Sequence, residues 1–299
     1  MMFKNLSVYR LQLPKGITAH YLSTQLAALA LQGCNPTEVQ SIGWVSPRDG
    51  GDLVYSVTSQ FLLALGVEQR LLPTSVVKQV ANTRAASIES AEGRRVGRKE
   101  MREIREQVAL ELLPRAFIRR RTTFAWIDTI NGWLVVDSST SARAEELIEH
   151  LRKSIDGLKV KLFRVNQSPV SAMTGWVSAS ESPSGFTLDQ DLELRSAEHS
   201  EIRYVKHSLD GEEILQYIAE GKVATKLAMT WRDRISFVLT DNLQIKRLSF
   251  LDIIREEADS QAENEHERFD IDFTLMTYEM SNLLADIVEA LGGEMAGVV

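Results

Sequence analysis

From Phe3 to Leu13 polar and apolar residues interleave as they do along a strand, and from Thr18 to Leu31 the apolar positions change to helical spacing until Gly33 stops the run. A β-branched, apolar region from Leu53 to Leu65 predicts further strand. Pro73 followed by Thr74 or Ser75 then marks the start of a long helical stretch. Residues 75–112 contain no aromatic side chain and are rich in Ala, Glu and Arg. Gly93 and Gly97 interrupt them, which predicts two helices joined at a bend and projecting between strands. Pro114 closes the second helix, and strand composition from Thr122 to Asp137 surrounds Asn131-Gly132, a pair suited to a tight hairpin turn. Ser141 reads as an N-cap before the stripe Ala144, Leu147, Ile148 and Leu151, and Val160 to Val165 reads as a short strand. Residues 166–185, with Pro169, Pro183, two Gly and many Ser, predict a connector carrying at most a short helix, and a domain boundary falls there.

Beyond the connector, strands are expected at 186–195, 202–207, 222–231, 234–240 and 244–250, with a helix at 211–219. Two helices, 251–263 and 267–290, end the pattern. In the second, Phe269, Phe273, Met276, Met280, Leu283, Leu284, Ile287 and Leu291 share one broad face, and Gly292 with Gly293 supplies the stop. Such a face serves either a core or a subunit interface. The fold class is α+β, with mixed or antiparallel sheets, packed helices and an inserted helical tip. Its expected units are a discontinuous central domain (1–74 and 122–165), the tip (75–121) and a base domain (166–299).

With 299 residues, 44% of them hydrophobic, the chain has enough apolar material for a sizeable core. No run approaches a membrane-spanning length and the N-terminus has no secretory pattern, so the cytoplasm is the expected compartment. Cys34 is the lone cysteine, which excludes an intrachain disulfide and leaves a thiolate zinc site without its second sulfur. A formal charge of −7 argues against a uniformly basic nucleic-acid binder. Distribution changes that picture: Arg84 to Arg121 holds eleven Lys or Arg against six Glu, whereas Leu251 to Val299 holds thirteen Asp or Glu against two Arg. A basic middle facing a partner and an acidic end facing away would reconcile the acidic total with nucleic-acid binding, and two solvated faces of opposite sign would account for the same counts.

Enzyme signals are sparse. Glu220-Gly221-Lys222 lacks the glycine spacing and the following hydroxyl of a phosphate-binding loop, and His20, His150, His199, His207 and His266 show no metal-ligand pairing. The carboxylates a metal-dependent nuclease would need exist in Asp128, Asp137, Asp252, Asp270 and Asp272, though acidic residues are common throughout the chain. There is no Gly-x-Ser-x-Gly elbow. No catalytic residue, metal or cofactor is therefore expected. Basic candidates cohere better: Arg115, Arg119, Arg120 and Arg121 bracket the aromatic Phe117, and a second set comprises Lys206, Lys222, Lys226, Arg232, Arg234, Lys246 and Arg247. Strand-borne charges alternate faces, so only part of the second set can meet one ligand. With no recognition helix, zinc finger or aromatic platform in view, a bound nucleic acid would be read through its backbone.

Nine short blocks in order resemble the RdgC recombination-associated proteins across essentially the whole chain. They begin with Phe3-Lys4-Asn5-Leu6 with Tyr9-Arg10-Leu11, Gly43-Trp44-Val45 and Leu112-Leu113-Pro114-Arg115-Ala116-Phe117. Trp126-Ile127-Asp128-Thr129, Asn131-Gly132, Leu151-Arg152-Lys153-Ser154 and Val223-Ala224-Thr225-Lys226-Leu227-Ala228 follow, then Lys246-Arg247-Leu248 and Ala290-Leu291-Gly292-Gly293-Glu294. The resemblance implies a head-to-head and tail-to-tail homodimer closing a ring around double-stranded DNA, non-enzymatic, restraining recombinase filaments by occupying DNA. Nucleoid association follows, with single-stranded DNA left open as a second ligand. A metal-dependent nuclease and a scaffold contacting the recombinase directly are the alternatives. It also implies that Phe117 belongs to a gateway between subunits and that Lys206 contacts DNA. His207 stands where the family pattern has Gln, and the arginine triplet is richer than that pattern.

Overall fold

In the computed structural model, residues 2–14, 16–252 and 264–295 are described. The expected helix at 251–263 lies almost wholly outside them. The elements run β1 (Leu6–Gln12), α1 (Ala19–Ala27), β2 (Gln40–Val45), β3 (Val54–Val57), β4 (Gln60–Leu71), α2 (Thr74–Glu92), α3 (Arg98–Leu112), β5 (Phe117–Asp128), β6 (Trp133–Asp137), α4 (Ser141–Ser154) and β7 (Lys159–Leu162). They continue through α5 (Pro169–Ala179), β8 (Phe186–Arg195), β9 (Glu201–Tyr204), α6 (Glu212–Ala219), β10 (Val223–Trp231), β11 (Ile235–Thr240), β12 (Ile245–Phe250) and α7 (Glu265–Ala290).

Among the described residues the strands form one sheet in the order β2-β4-β5-β6-β1-β12-β11-β10-β8-β9, with β3 on β4 and β7 on β1, and every pairing is antiparallel. The seam between its halves is a single Cα pair, Leu6 opposite Ile245. Strand alternation assigns the two faces. Leu62, Trp126, Trp133 and Val135 join Phe273, Met276, Met280 and Leu283 of α7 on one face, which continues through Leu192, Leu194, Leu227, Met229, Phe237 and Leu239 against Ala172, Met173 and Val177 of α5. On the opposite face Leu63, Leu65, Ala125, Ile127, Leu134 and Val136 pack on Leu22 and Leu26 of α1 and on Leu147, Ile148 and Leu151 of α4. No residue of β8–β12 joins that second cluster among the described residues, so the sheet is covered on both sides in its first half and on one side in its second.

The local causes are legible. Asn264 caps α7 by accepting from the Glu267 amide at 2.9 Å, Glu265 and Glu267 sit in the positively polarised first turn, and the apolar residues recur every three or four positions. Gly292 and Gly293, at φ +76° and +91°, end it in a conformation other residues resist. Ser168 caps α5 through the Ser171 amide, and Pro169 occupies its first turn. The eleven-residue α5 corrects the expected connector: its Ala172, Met173 and Val177 are buried core, not linker.

The β5–β6 connection, Thr129–Gly132, is built around Asp128. This fully buried carboxylate accepts from the amides of Ile130 (2.9 Å) and Asn131 (3.0 Å), from Asn131 Nδ2 (2.7 Å) and from the Ser281 hydroxyl of α7 (2.9 Å). It thus fixes the turn and fastens α7 to the sheet. β4 and β5 pair along all twelve residues of each strand, from Gln60 opposite Asp128 to Leu71 opposite Phe117, and α2 and α3 connect their far ends. That helical pair has its own small core of Ala81, Ala85, Ile104 and Val108. Gly93 ends α2 at φ +66°. Arg70, 8% exposed, ties the base of the pair down by donating to the carbonyls of Leu113, Pro114, Cys34 and Asn35.

Candidate nucleic-acid interface

The face of β8–β12 opposite α5 and α7 carries charge where the first half of the sheet carries helices. Leu192 and Leu194 point into the core, so Asp191, Glu193 and Arg195 point away from it. Around them lies a groove of about 270 Å³ lined by Asp191, Glu193, Arg203, Lys226, Lys246 and Arg247 together with the apolar Leu192, Tyr204, Val205 and Val238. Four cations face two carboxylates there. Glu193, only 4% exposed, lies beneath them. It accepts from Lys226 Nζ at 2.5 Å and from the Thr225 hydroxyl at 2.9 Å, with Arg203 Nε at 3.2 Å and Arg195 Nη2 at 3.3 Å. Burial pushes its carboxyl up, but the hydrogen bonds from Lys226 and Thr225 and the neighbouring cations outweigh that and hold it below the ordinary 4.5. Asp191 takes the backbone N–H of Lys206 at 3.0 Å and Arg247 Nη1 at 3.3 Å. Lys246 has no carboxylate partner among the described residues.

A depressed carboxyl contributes stability that is present above the unfolded-state value and lost as pH falls through the folded one. Glu193→Gln should accordingly differ in urea midpoint from the native chain at neutral pH by more than it does near pH 3. A difference that stays constant across that interval would contradict the ion network.

Of the expected site residues, the groove gathers Lys226 and the backbone of Lys206. His207 follows on an exposed loop, its ring 5.2 Å from that of Tyr204 and its Nδ1 2.7 Å from the Ser208 carbonyl oxygen. Lys222 is directed elsewhere: its Nζ lies 4.4 Å over the ring of Tyr217 in α6 and 3.4 Å from Glu220, on the helix-covered side. Arg232 and Arg234 of the second basic set are likewise held on the α7 side, by Asp286 and by the buried Glu279, each at 2.7 Å.

The arginine triplet does not converge. Arg119 and Arg121 share a face of β5 with Ala125 and Ile127, and Arg120 points to the opposite one. Arg119 donates to Gln69 Oε1 at 2.9 Å, Arg121 to Glu146 of α4 at 2.6 Å, and Arg120 to Glu68. Glu68 also takes the Cys34 amide, and that bond together with Arg120 draws its carboxyl down. Arg115 is exposed in the single turn after α3. Phe117 is 85% exposed, directly opposite the 42% exposed Leu71, an apolar patch at the foot of the helical pair, while Ile118, 46% exposed, points to the other face of β5. Sequence reasoning missed Arg195, Arg203 and Glu193. Their signal was the alternation of Leu192 and Leu194 with charged residues, which identifies an uncovered strand face.

The family model described as "Putative exonuclease, RdgC" matches residues 1–294. The chain is 52% identical over 297 residues to the recombination-associated protein RdgC of Janthinobacterium sp. (strain Marseille), covering 99% of each. It is 53% identical over 298 residues to that of Herminiimonas arsenicoxydans, again covering 99% of each. This chain belongs to the RdgC family. Those relatives are named for an association with recombination, and the family description raises nuclease chemistry, which the carboxylates can be checked against. Asp128 is committed to a turn; Asp137 accepts the Lys4 and Asn5 amides at 3.1 and 2.9 Å; Asp270 accepts from Tyr55 at 2.7 Å and from Arg48 at 3.0 Å. Asp252 and Asp272 bring no third ligand to any of these, since no group of three His, Cys, Asp or Glu among the described residues could hold a metal ion. No described helix is long and apolar enough to cross a membrane.

Proposed function

We propose that this RdgC-family chain binds double-stranded DNA without reading its sequence, as a homodimer that closes a ring around the duplex and limits recombinase access to it, with no catalytic step of its own. The observation that carries this reading is the uncovered β8–β12 face with Arg203, Lys226, Lys246 and Arg247 around one groove. Cations spread over a sheet neutralise phosphates but carry no base-edge code. On this reading 1–74 with 122–165 form the centre, 75–121 the tip that meets its counterpart and 166–299 the base, and nucleoid association follows from DNA binding. Lys206, Lys226 and His207 border the duplex, and Arg115, Arg119, Arg120 and Arg121 add positive potential near the tip; Lys222, turned toward Tyr217 and Glu220, is left out of the contact set. A single strand offers the same phosphates and is a weaker ligand. The test is binding of a sequence-scrambled duplex with and without magnesium, scoring dimer mass and DNA integrity together. Tight binding by a dimer with uncut DNA is expected. Magnesium-dependent cutting would favour the nuclease reading instead, and recombinase inhibition that survives neutralisation of the groove would favour a direct scaffold.

The exposed Phe117–Leu71 patch serves as the gateway between tips. Replacing Phe117 by Asp should leave the thermal midpoint within about 2 °C, because the side chain is almost fully solvent-facing. The same variant should open the ring and shorten its residence on closed circular DNA at moderate salt. Unchanged residence would remove Phe117 from the gateway.

A further inference from the structure

Four cations reach toward the groove, yet they are not equivalent, because the carboxylate beneath them is shared unequally. Glu193 is buried and engages Lys226, Arg203 and Arg195 at once, whereas Lys246, on the same wall, has no carboxylate partner among the described residues. Thr225 donates to Glu193 from below, at 2.9 Å, so the carboxylate is held by a neutral group as well as by the cations it faces. A phosphate arriving at Lys226 or Arg203 has to share these cations with an anion already in place. Counterion release scales with the charge a cation presents to the backbone, and a cation already neutralised by protein presents less of it.

We infer that Glu193 is a positioning residue that fixes Lys226 and Arg203 in the groove while masking part of their charge, so that each grips the DNA backbone less tightly than an unpaired cation does. This rests on the DNA-binding reading above and adds to it which cations do the gripping: Lys246 interacts with phosphate at full charge, and Lys226 and Arg203 act as held, attenuated contacts.

The experiment measures binding of a sequence-scrambled duplex by the full-length protein at about 50 and about 200 mM salt, for the native chain and for Glu193→Gln, Lys226→Gln and Lys246→Gln. Glu193→Gln unmasks about one charge per subunit, two per dimer. Its affinity loss between the two salts should exceed the native loss by about tenfold, with tighter binding at the lower salt. A purely structural Glu193 would instead give weaker binding or an unchanged salt slope, and either result from a folded variant overturns the inference. Should Glu193→Gln fail to fold, the lysine pair decides. Lys246→Gln should flatten the salt slope by about 0.9 per subunit and Lys226→Gln by clearly less; equal flattening overturns masking. If the native chain itself shows no salt-sensitive duplex binding, the DNA-binding reading fails and this inference with it. Native binding with an unchanged Glu193→Gln slope sinks the inference alone.

Discussion

Between about 50 and 200 mM salt, affinity for a short linear duplex is expected to fall by roughly 10³ to 10⁵-fold, the loss that accompanies neutralisation of about 6 to 10 phosphates. The range comes from symmetry: each subunit offers Arg203, Lys226, Lys246 and Arg247 at one groove, with Lys206 beside it, and a second copy doubles the set to the upper figure; leaving out Arg203 and Lys226, whose charge Glu193 masks, gives the lower one. The same titration on duplexes of unrelated sequence should give superimposable curves, because neither the groove nor the exposed loop at Lys206 presents an element shaped to enter the major groove and read base edges. A shallow salt dependence, or affinities that differ by orders of magnitude between sequences, would mean that the binding energy lies in base contacts this face does not provide.

The largest effect expected on the fold itself comes from Asp128. Replacing it by Ala removes the acceptor for two backbone amides, the Asn131 side chain and the Ser281 hydroxyl, and leaves at least part of that set unsatisfied at a fully buried position. A loss of about 3 kcal/mol in urea unfolding is expected, and Ser281→Ala, which deletes one of the four bonds, should cost about 1 kcal/mol. This pair also bears on the nuclease alternative. A catalytic Asp128 would tolerate substitution with little loss of stability and large loss of chemistry, whereas a structural one shows the reverse.

Local signals in the sequence were faithful wherever a segment's own residues determine its conformation. Gly93 ends α2, Asn131-Gly132 lies in the β5–β6 turn, and the Phe273-to-Ile287 stripe is the buried face of α7; α4 starts one residue earlier than expected, with Thr140 as its N-cap and Ser141 already helical. Signals failed where a partner distant in sequence decides. β2 contains Ser41 and Gly43, poor strand formers, and exists because it pairs with β4 while its Trp44 exchanges hydrogen bonds with Leu29 and Leu31. β5 begins at Phe117 rather than Thr122 because β4 extends alongside it to Leu71, and three consecutive arginines carry no local sign of that pairing. Serine and proline made α5 look like a connector, although Ser168 and Pro169 are also helix-start residues. The halves meet in one sheet where Leu6 stands opposite Ile245 and the Leu248 amide donates to the Lys4 carbonyl, pairings that leave no trace in periodicity.

The candidate site divides in the same way. Lys226 and Lys206 could be named from sequence because the family blocks and the basic count pointed to them, and the structure sets both beside one groove. Adjacency misled at Arg119, Arg120 and Arg121, since neighbours on a strand face opposite ways and each already has a protein partner. Glu193 escaped notice for a different reason: an acid among many in an acidic chain acquires meaning only when its burial and its three cationic neighbours are seen together.

Encirclement is the central claim, and topology tests it without reference to any one side chain. The protein is loaded at low salt on a covalently closed circular duplex, raised to about 200 mM salt, and the bound fraction is followed before and after a single cut linearises the DNA. A closed ring predicts a fraction that withstands the salt on the circle and is released once an end appears. Equal loss from circle and linear DNA at that salt would contradict encirclement and reduce the protein to an open, electrostatic surface binder.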